Sequence, residues 1–141
     1  MISNSHKFCI APMMKKTDKH FRFLTRQFTK RSMLYTEMIH ANAILKGNVD
    51  RLLSFDECEH PVGLQLGGSD PKSLAEAAII GQEYGYDEIN LNVGCPSKKV
   101  KSGNFGVFLM KNVELLSNCL LYTSDAADEG LGVDLGGRRI I

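Results

Sequence analysis

The chain has 141 residues, 43% of them hydrophobic and 23% charged, with a net charge of +1. That supports one domain with a modest core; no apolar run approaches the roughly 20 residues of a membrane span, and the polar opening Met1–Lys7 speaks against a secretory leader. The four cysteines, Cys9, Cys58, Cys95 and Cys119, are scattered without a Cys-x-x-Cys pair, which points to reduced thiols in a cytoplasmic protein rather than a disulfide scaffold.

In chain order the pattern alternates strand with helix. Lys7–Pro12 reads as a strand, and Asp18–Thr29 as a helix with Thr17 or Asp18 near its N-cap. Ser32–Glu37 is a second strand, followed by a helix over Ile39–Lys46 that stops near Gly47. Pro61–Leu66 is a third strand. The helix after it, Pro71–Tyr84, has Asp70 as N-cap, Pro71 at its first position and Gly85 beyond its end. Asp87–Asn92 is a fourth strand, and a shorter helix begins near Lys111. This alternation implies parallel strands joined by right-handed crossovers, with chemistry gathered at the C-terminal strand ends. Periodicity alone leaves an open sheet and a barrel both possible, although no Gly-x-Gly-x-x-Gly follows the first strand.

Charge is uneven. Between Lys15 and Arg31 the only acid is Asp18, against Lys15, Lys16, Lys19, Arg22, Arg26, Lys30 and Arg31, and a second knot is Lys98, Lys99 and Lys101. Such runs suit a polyanion or form a solvated helix face. Cys58 and His60 lack a second pair of ligands at metal-site spacing, so no metal is expected. His20 and His40 fall in predicted helices as surface or boundary residues, and Met13, Met14, Met33 and Met38 as packing residues. From Cys119 the rhythm is lost. Residues 119–141 read like the in-frame translation of a transposon-type sequencing adapter, so the expected division is a native 1–118 and a non-native 119–141.

The strongest local signal is Asn90–Ser97, N-L-N-V-G-C-P-S. A strand ends at Asn92 and a Gly-Cys-Pro turn presents Cys95 just beyond it; Gly94 is expected to supply unusual dihedrals and Pro96 to restrict Cys95. From the residues alone, Cys95 is a nucleophile, a general acid or a small buried hydrophobe.

That segment, with KFCIAPMMKKTDKHFR, LYTEMIHANAIL and HPVGLQLGGSDP, resembles the tRNA-dihydrouridine synthase family, most closely the subfamily A enzymes of bacteria. The resemblance covers about Phe8 to Met110. It implies the N-terminal half, about four βα units, of an α/β TIM (β/α)8 barrel that binds FMN at its mouth. It also implies NADPH-dependent reduction of uridine to dihydrouridine in the D-loop of tRNA, at or near position 20. By residue, it implies that Pro12, Met13 and Met14 line the flavin through backbone contacts and that Gln65 hydrogen-bonds the ring. Asn92 would contact the tRNA base, Cys95 would donate the proton, and Lys98 and Lys99, with Lys15 and Lys16, would meet phosphates. Lys15 and Lys16 stand where the family commonly has an acidic–aromatic pair, and Lys98 and Lys99 where it has an acid and an arginine. A flavin-binding lysine, a histidine and phosphate-gripping glycine loops belong to the second barrel half. Two other readings stay open: a flavin barrel that reduces free pyrimidines, and a non-catalytic piece that binds RNA weakly.

Overall fold

The computed structural model describes residues 4–129. A 3-10 turn over Asn4–Lys7 leads into β1 (Cys9–Ile10), followed by α1 (Lys19–Arg26), β2 (Met33–Tyr35), β3 (Ile39–His40), α2 (Ala41–Lys46) and α3 (Val49–Leu53). A second such turn, Glu57–Glu59, precedes β4 (Val62–Gly67), α4 (Pro71–Glu83), β5 (Glu88–Leu91) and α5 (Lys98–Ser102). A third, Gly106–Lys111, precedes α6 (Val113–Glu129).

Every strand pair is parallel. Cys9 lies opposite Met33, Leu34 opposite Val62, and Gln65 opposite Asn90. β3 runs along the same edge of β4 as β2, with Ile39 opposite Leu66, so β2 and β3 are one strand interrupted at Thr36–Met38. The interruption carries one extra residue, as a bulge does. Thr36 repairs the ladder: its N–H donates to the Gly63 carbonyl at 2.9 Å, and its Oγ1 accepts from the Gln65 N–H at 3.0 Å. With β2 and β3 counted as one, spatial order follows chain order. A doubly wound sheet reverses direction at a switch point; this one does not. The architecture is therefore four βα units of a (β/α)8 barrel.

Alternation sorts the side chains. Val62, Leu64, Leu66, Ile89 and Leu91 pack with Leu74, Ala77 and Ala78 of α4, and with Ile44, Leu53 and Cys119. Gly63, Gln65, Gly67, Glu88 and Asn90 take the opposite face, that of the barrel interior. Close approach explains the glycines: a Cβ on Gly63 would lie 2.7 Å from the Tyr35 ring, and one on Gly81 2.5 Å from Leu64 Cδ2. α4 begins and ends on its local signals, with Asp70 accepting from the Ser73 N–H at 2.8 Å and Gly85 at φ +88°.

Polar groups lock the N-terminal ends of the strands. Arg22 and Arg26, 4% and 5% exposed, point inward from α1. Arg22 Nε donates to Glu59 Oε2 at 2.6 Å, and Arg26 donates to the carbonyls of Thr29, Ser32, Glu59 and Pro61. Two of the seven cations in the basic run are therefore structural, and Phe23, Leu24 and Phe28 take the outer side of this segment. Nearby, Glu88 accepts from the Tyr35 hydroxyl at 2.7 Å and pairs with His6 Nε2 at 2.6 Å.

Several expectations shift. His40 is not inside a helix: it closes β3 and caps α2, its Nδ1 accepting from the Asn42 N–H. The short α3 and α5 are additions to the expected elements, each opened by a local cap: Asn48 Oδ1 accepts from the Arg51 N–H at 2.8 Å, and Ser97 Oγ from the Val100 N–H at 3.4 Å. The fourth helix starts at Val113 and runs past Asn118 to Glu129, because Cys119 and Thr123 keep its inner face buried against α4. The remainder of the expected 119–141 segment, residues 130–141, lies outside the described residues. No helix among the described residues is long and apolar enough to cross a membrane, and no group of three or more His, Cys, Asp or Glu could hold a metal ion.

Candidate active site

The C-terminal strand ends open onto a cavity of about 550 Å³ lined by Pro12, Met13, Met14, Gln65, Asn92 and Cys95. These are the six residues singled out from the sequence apart from the lysines. Met38, Leu91, Val93 and Gly94 complete the wall. Met38, a packing residue by its sequence, joins the wall where the interruption at Thr36–Met38 meets the mouth.

Each wall has its own cause. After β1, the Met13 carbonyl accepts from the N–H groups of Lys16 and Thr17 at 3.0 Å, and the Met13 N–H donates to Thr17 Oγ1 at 3.0 Å. Both backbone groups of Met13 are thus engaged in the turn, which fixes the loop at the mouth. Met13 and Met14 are 57% and 53% exposed, an apolar platform at the rim. Lys15 takes φ +62°, and its N–H donates to the Glu37 carboxylate. Glu37 therefore braces the first loop.

Across the floor of the cavity runs a chain of amides. Asn92 Nδ2 donates to Gln65 Oε1 at 2.9 Å, and Gln65 Nε2 donates to Asn90 Oδ1 at 2.8 Å. Asn92 Oδ1 accepts from the Cys95 N–H at 3.1 Å and the Gly94 N–H at 3.3 Å. One side chain thus fixes both the Gln65 amide and the turn that carries Cys95, which is half-buried. Asn90 opens the N-L-N-V-G-C-P-S motif without an expected role of its own, and its two-residue spacing from Asn92 puts both on one face.

Behind the loop, the Val107 N–H donates to the Cys95 carbonyl at 3.2 Å. Gly94, expected to adopt unusual dihedrals, has no positive φ, and a Cβ there would meet nothing within 4 Å. The position that demands glycine is Gly106. Its φ is +60°, and a Cβ would lie 2.5 Å from Val100 Cγ1 and 2.7 Å from the Cys95 carbonyl oxygen. Phe105 and Leu109 are buried beneath the loop, whereas Met110 is half exposed.

The lysines stand apart from the cavity. Lys98 is exposed on the first turn of α5, outside the lining residues. Lys99 follows on the same helix, its side chain outside the described residues. Lys15 and Lys16 are exposed on the loop after β1. Chemically, the site offers a slot with apolar sides, amide groups at its base and a thiol at its edge. Such a slot suits a flat, largely apolar ring with hydrogen-bonding edges.

Residues 9–133 match the family model described as dihydrouridine synthase. The tRNA-dihydrouridine(20/20a) synthase of Synechocystis is 58% identical over 118 residues, 84% of this chain and 35% of the relative. Those of Xanthomonas campestris and Pseudomonas aeruginosa are 52% and 48% identical, covering 84% and 88% of this chain and 35% and 37% of theirs. The chain thus spans about a third of the length of these curated relatives.

Proposed function

The chain belongs to the dihydrouridine synthase family, and from that premise we propose that it is the part of a tRNA-uridine reductase that carries the proton donor and one wall of the flavin site. The observation that carries this reading is the convergence of Met13, Met14, Gln65, Asn92 and Cys95 on one cavity.

The residues fit FMN. Met13, Met14 and Met38 offer an apolar surface for the ring system, and Gln65, held at both ends of its amide, offers a fixed polar group for the ring edge. Held there and reduced, with NADPH as the external reductant, FMN would supply hydride to C6 of the uracil. The protein's share is orientation and a proton. Hydride at C6 leaves enolate character that must be quenched at C5. Cys95, set over the cavity by the Asn92 turn, donates that proton from its thiol as a general acid. Asn92 also borders the space the base must enter. A uridine can enter only after leaving its stack, which favours a loop nucleotide of tRNA. Lys98 and Lys99, outside the slot, meet the phosphates on the way in.

Among the described residues β1 and β5 are each paired on one edge, and the cavity is walled from one side by the residues named above. This polypeptide alone therefore holds FMN weakly and has little reductase activity, and the division into 1–118 and a non-native 119–141 belongs to the same reading. The test is Cys95→Ala in the full-length enzyme bearing these residues. The dihydrouridine formed per minute in tRNA should fall by about 10²-fold or more, while FMN content and flavin reduction by NADPH stay unchanged. Retention of the full rate would remove Cys95 from the chemistry.

A further inference from the structure

Beside the mouth lies a second chamber, of about 510 Å³, between the first turn of α1, the interrupted strand and the α2–α3 corner. Met14 and Met38 line both cavities, so the two share a wall of side chains. Lys19, His20 and Arg51 also line it; all are exposed, and none enters an ion pair among the described residues. Two acids, Asp18 and Glu37, also line the wall, each carboxylate held by a backbone N–H. Asp18 accepts from the Phe21 N–H at 2.9 Å, and Glu37 accepts from the Lys15 N–H. Arg22, also on the wall, is spent on Glu59. Burial holds the His40 ring below the usual histidine range, hence neutral, and its Nδ1 is an acceptor, so its proton sits on Nε2.

We propose that this chamber seats the nucleotide adjacent to the reacting uridine, with Lys19 and Arg51 on its phosphodiester. The proposal rests on the reading of the main cavity as a uridine-reducing site. Two features favour a flanking nucleotide over an unrelated ligand: the wall of Met14 and Met38 shared with the mouth, and the cations Lys19 and Arg51, outside any ion pair among the described residues. A polynucleotide threading the mouth must place a phosphate within one nucleotide of the reacting base, and free cations at that distance gain from counterion release. The chamber also gives the strand a direction, because the neighbour sits on the β1–β3 side and not beside α5.

The test is the double variant Lys19→Gln/Arg51→Gln in the full-length enzyme, with Lys30→Gln, at the opposite end of the barrel, as control. KM for tRNA should rise about tenfold with kcat little changed, and the slope of log affinity against log salt should shrink by about one. FMN content and KM for NADPH should not move. If the unsubstituted enzyme does not reduce tRNA, the reading of the main cavity fails. If it does, and the double variant matches the control in KM and salt slope, the chamber alone is wrong. A rise in KM for NADPH with tRNA unaffected would assign the cations to the reductant's phosphate and overturn the proposal.

Discussion

The two ends of the half-barrel use polar residues in opposite ways. At the N-terminal ends of the strands, polar groups consume one another: Arg22 with Glu59, Arg26 with four carbonyls, Tyr35 and His6 with Glu88. At the C-terminal ends, Gln65, Asn92 and Cys95 are linked just enough to be held, and they border a cavity. Breaking the first set leaves charges buried without partners, whereas breaking the second leaves groups that water can reach. The locked end and the candidate site are thus separated along the strand direction, as barrel enzymes commonly separate stability from chemistry.

The sharpest way to break this contrast is Glu59→Ala. It strands the buried Arg22 and removes the carboxylate that accepts from the Asp56 N–H, so urea unfolding should show a loss of about 3–5 kcal/mol. A loss below 1 kcal/mol would mean that this end is not locked.

Alkaline titration probes the same end. Burial, and for Tyr35 the hydrogen bond to Glu88, push the Tyr35 and Tyr86 hydroxyls well above the ordinary tyrosine range. Raised values in the folded state mean that the stability they contribute is complete below about pH 10 and is lost as pH climbs beyond it. The fully enclosed Tyr86 alone should give a slope of about −1.4 kcal/mol per pH unit there, and Tyr86→Phe should flatten it. A curve that stays level to pH 11 contradicts the assignment.

The smallest stability effect should come from the mouth. Asn92→Ala removes the acceptor for the Gly94 and Cys95 N–H groups and the donor to Gln65 Oε1, all at a cavity where solvent can take its place, so unfolding should change by about 1 kcal/mol or less. Alkylation of Cys95 by iodoacetamide should nevertheless change severalfold, because the turn is released. A loss comparable to that of Glu59→Ala would erase the distinction between the ends.

Much of this was legible where the signal is local. Asp70-Pro71 and Gly85 announce both ends of α4, and Asn92-x-Gly-Cys-Pro announces the turn over the cavity, because caps and turns depend on adjacent residues. What escaped is set by partners distant in sequence. Arg22 and Arg26 read as a basic surface because nothing nearby shows that Glu59 and the Pro61 carbonyl will meet them. The demand for glycine was placed on Gly94, inside the motif, when it falls on Gly106, where Val100 and the Cys95 carbonyl close in. The bulge at Thr36 was invisible for the same reason, since a side-chain hydroxyl replaces a backbone acceptor for a strand 29 residues away.

Spatial order that follows chain order also has a consequence for synthesis. Each β/α unit emerging from the ribosome finds its neighbour already laid down, so the sheet can grow in one direction at the pace of translation, about 5–20 residues per second. No strand must wait for a later one to be inserted between it and its partner. The buried contacts of Arg22 and Arg26 with Glu59 can then close once the residues leading into the third unit have emerged, setting the base of the barrel without waiting for any later strand.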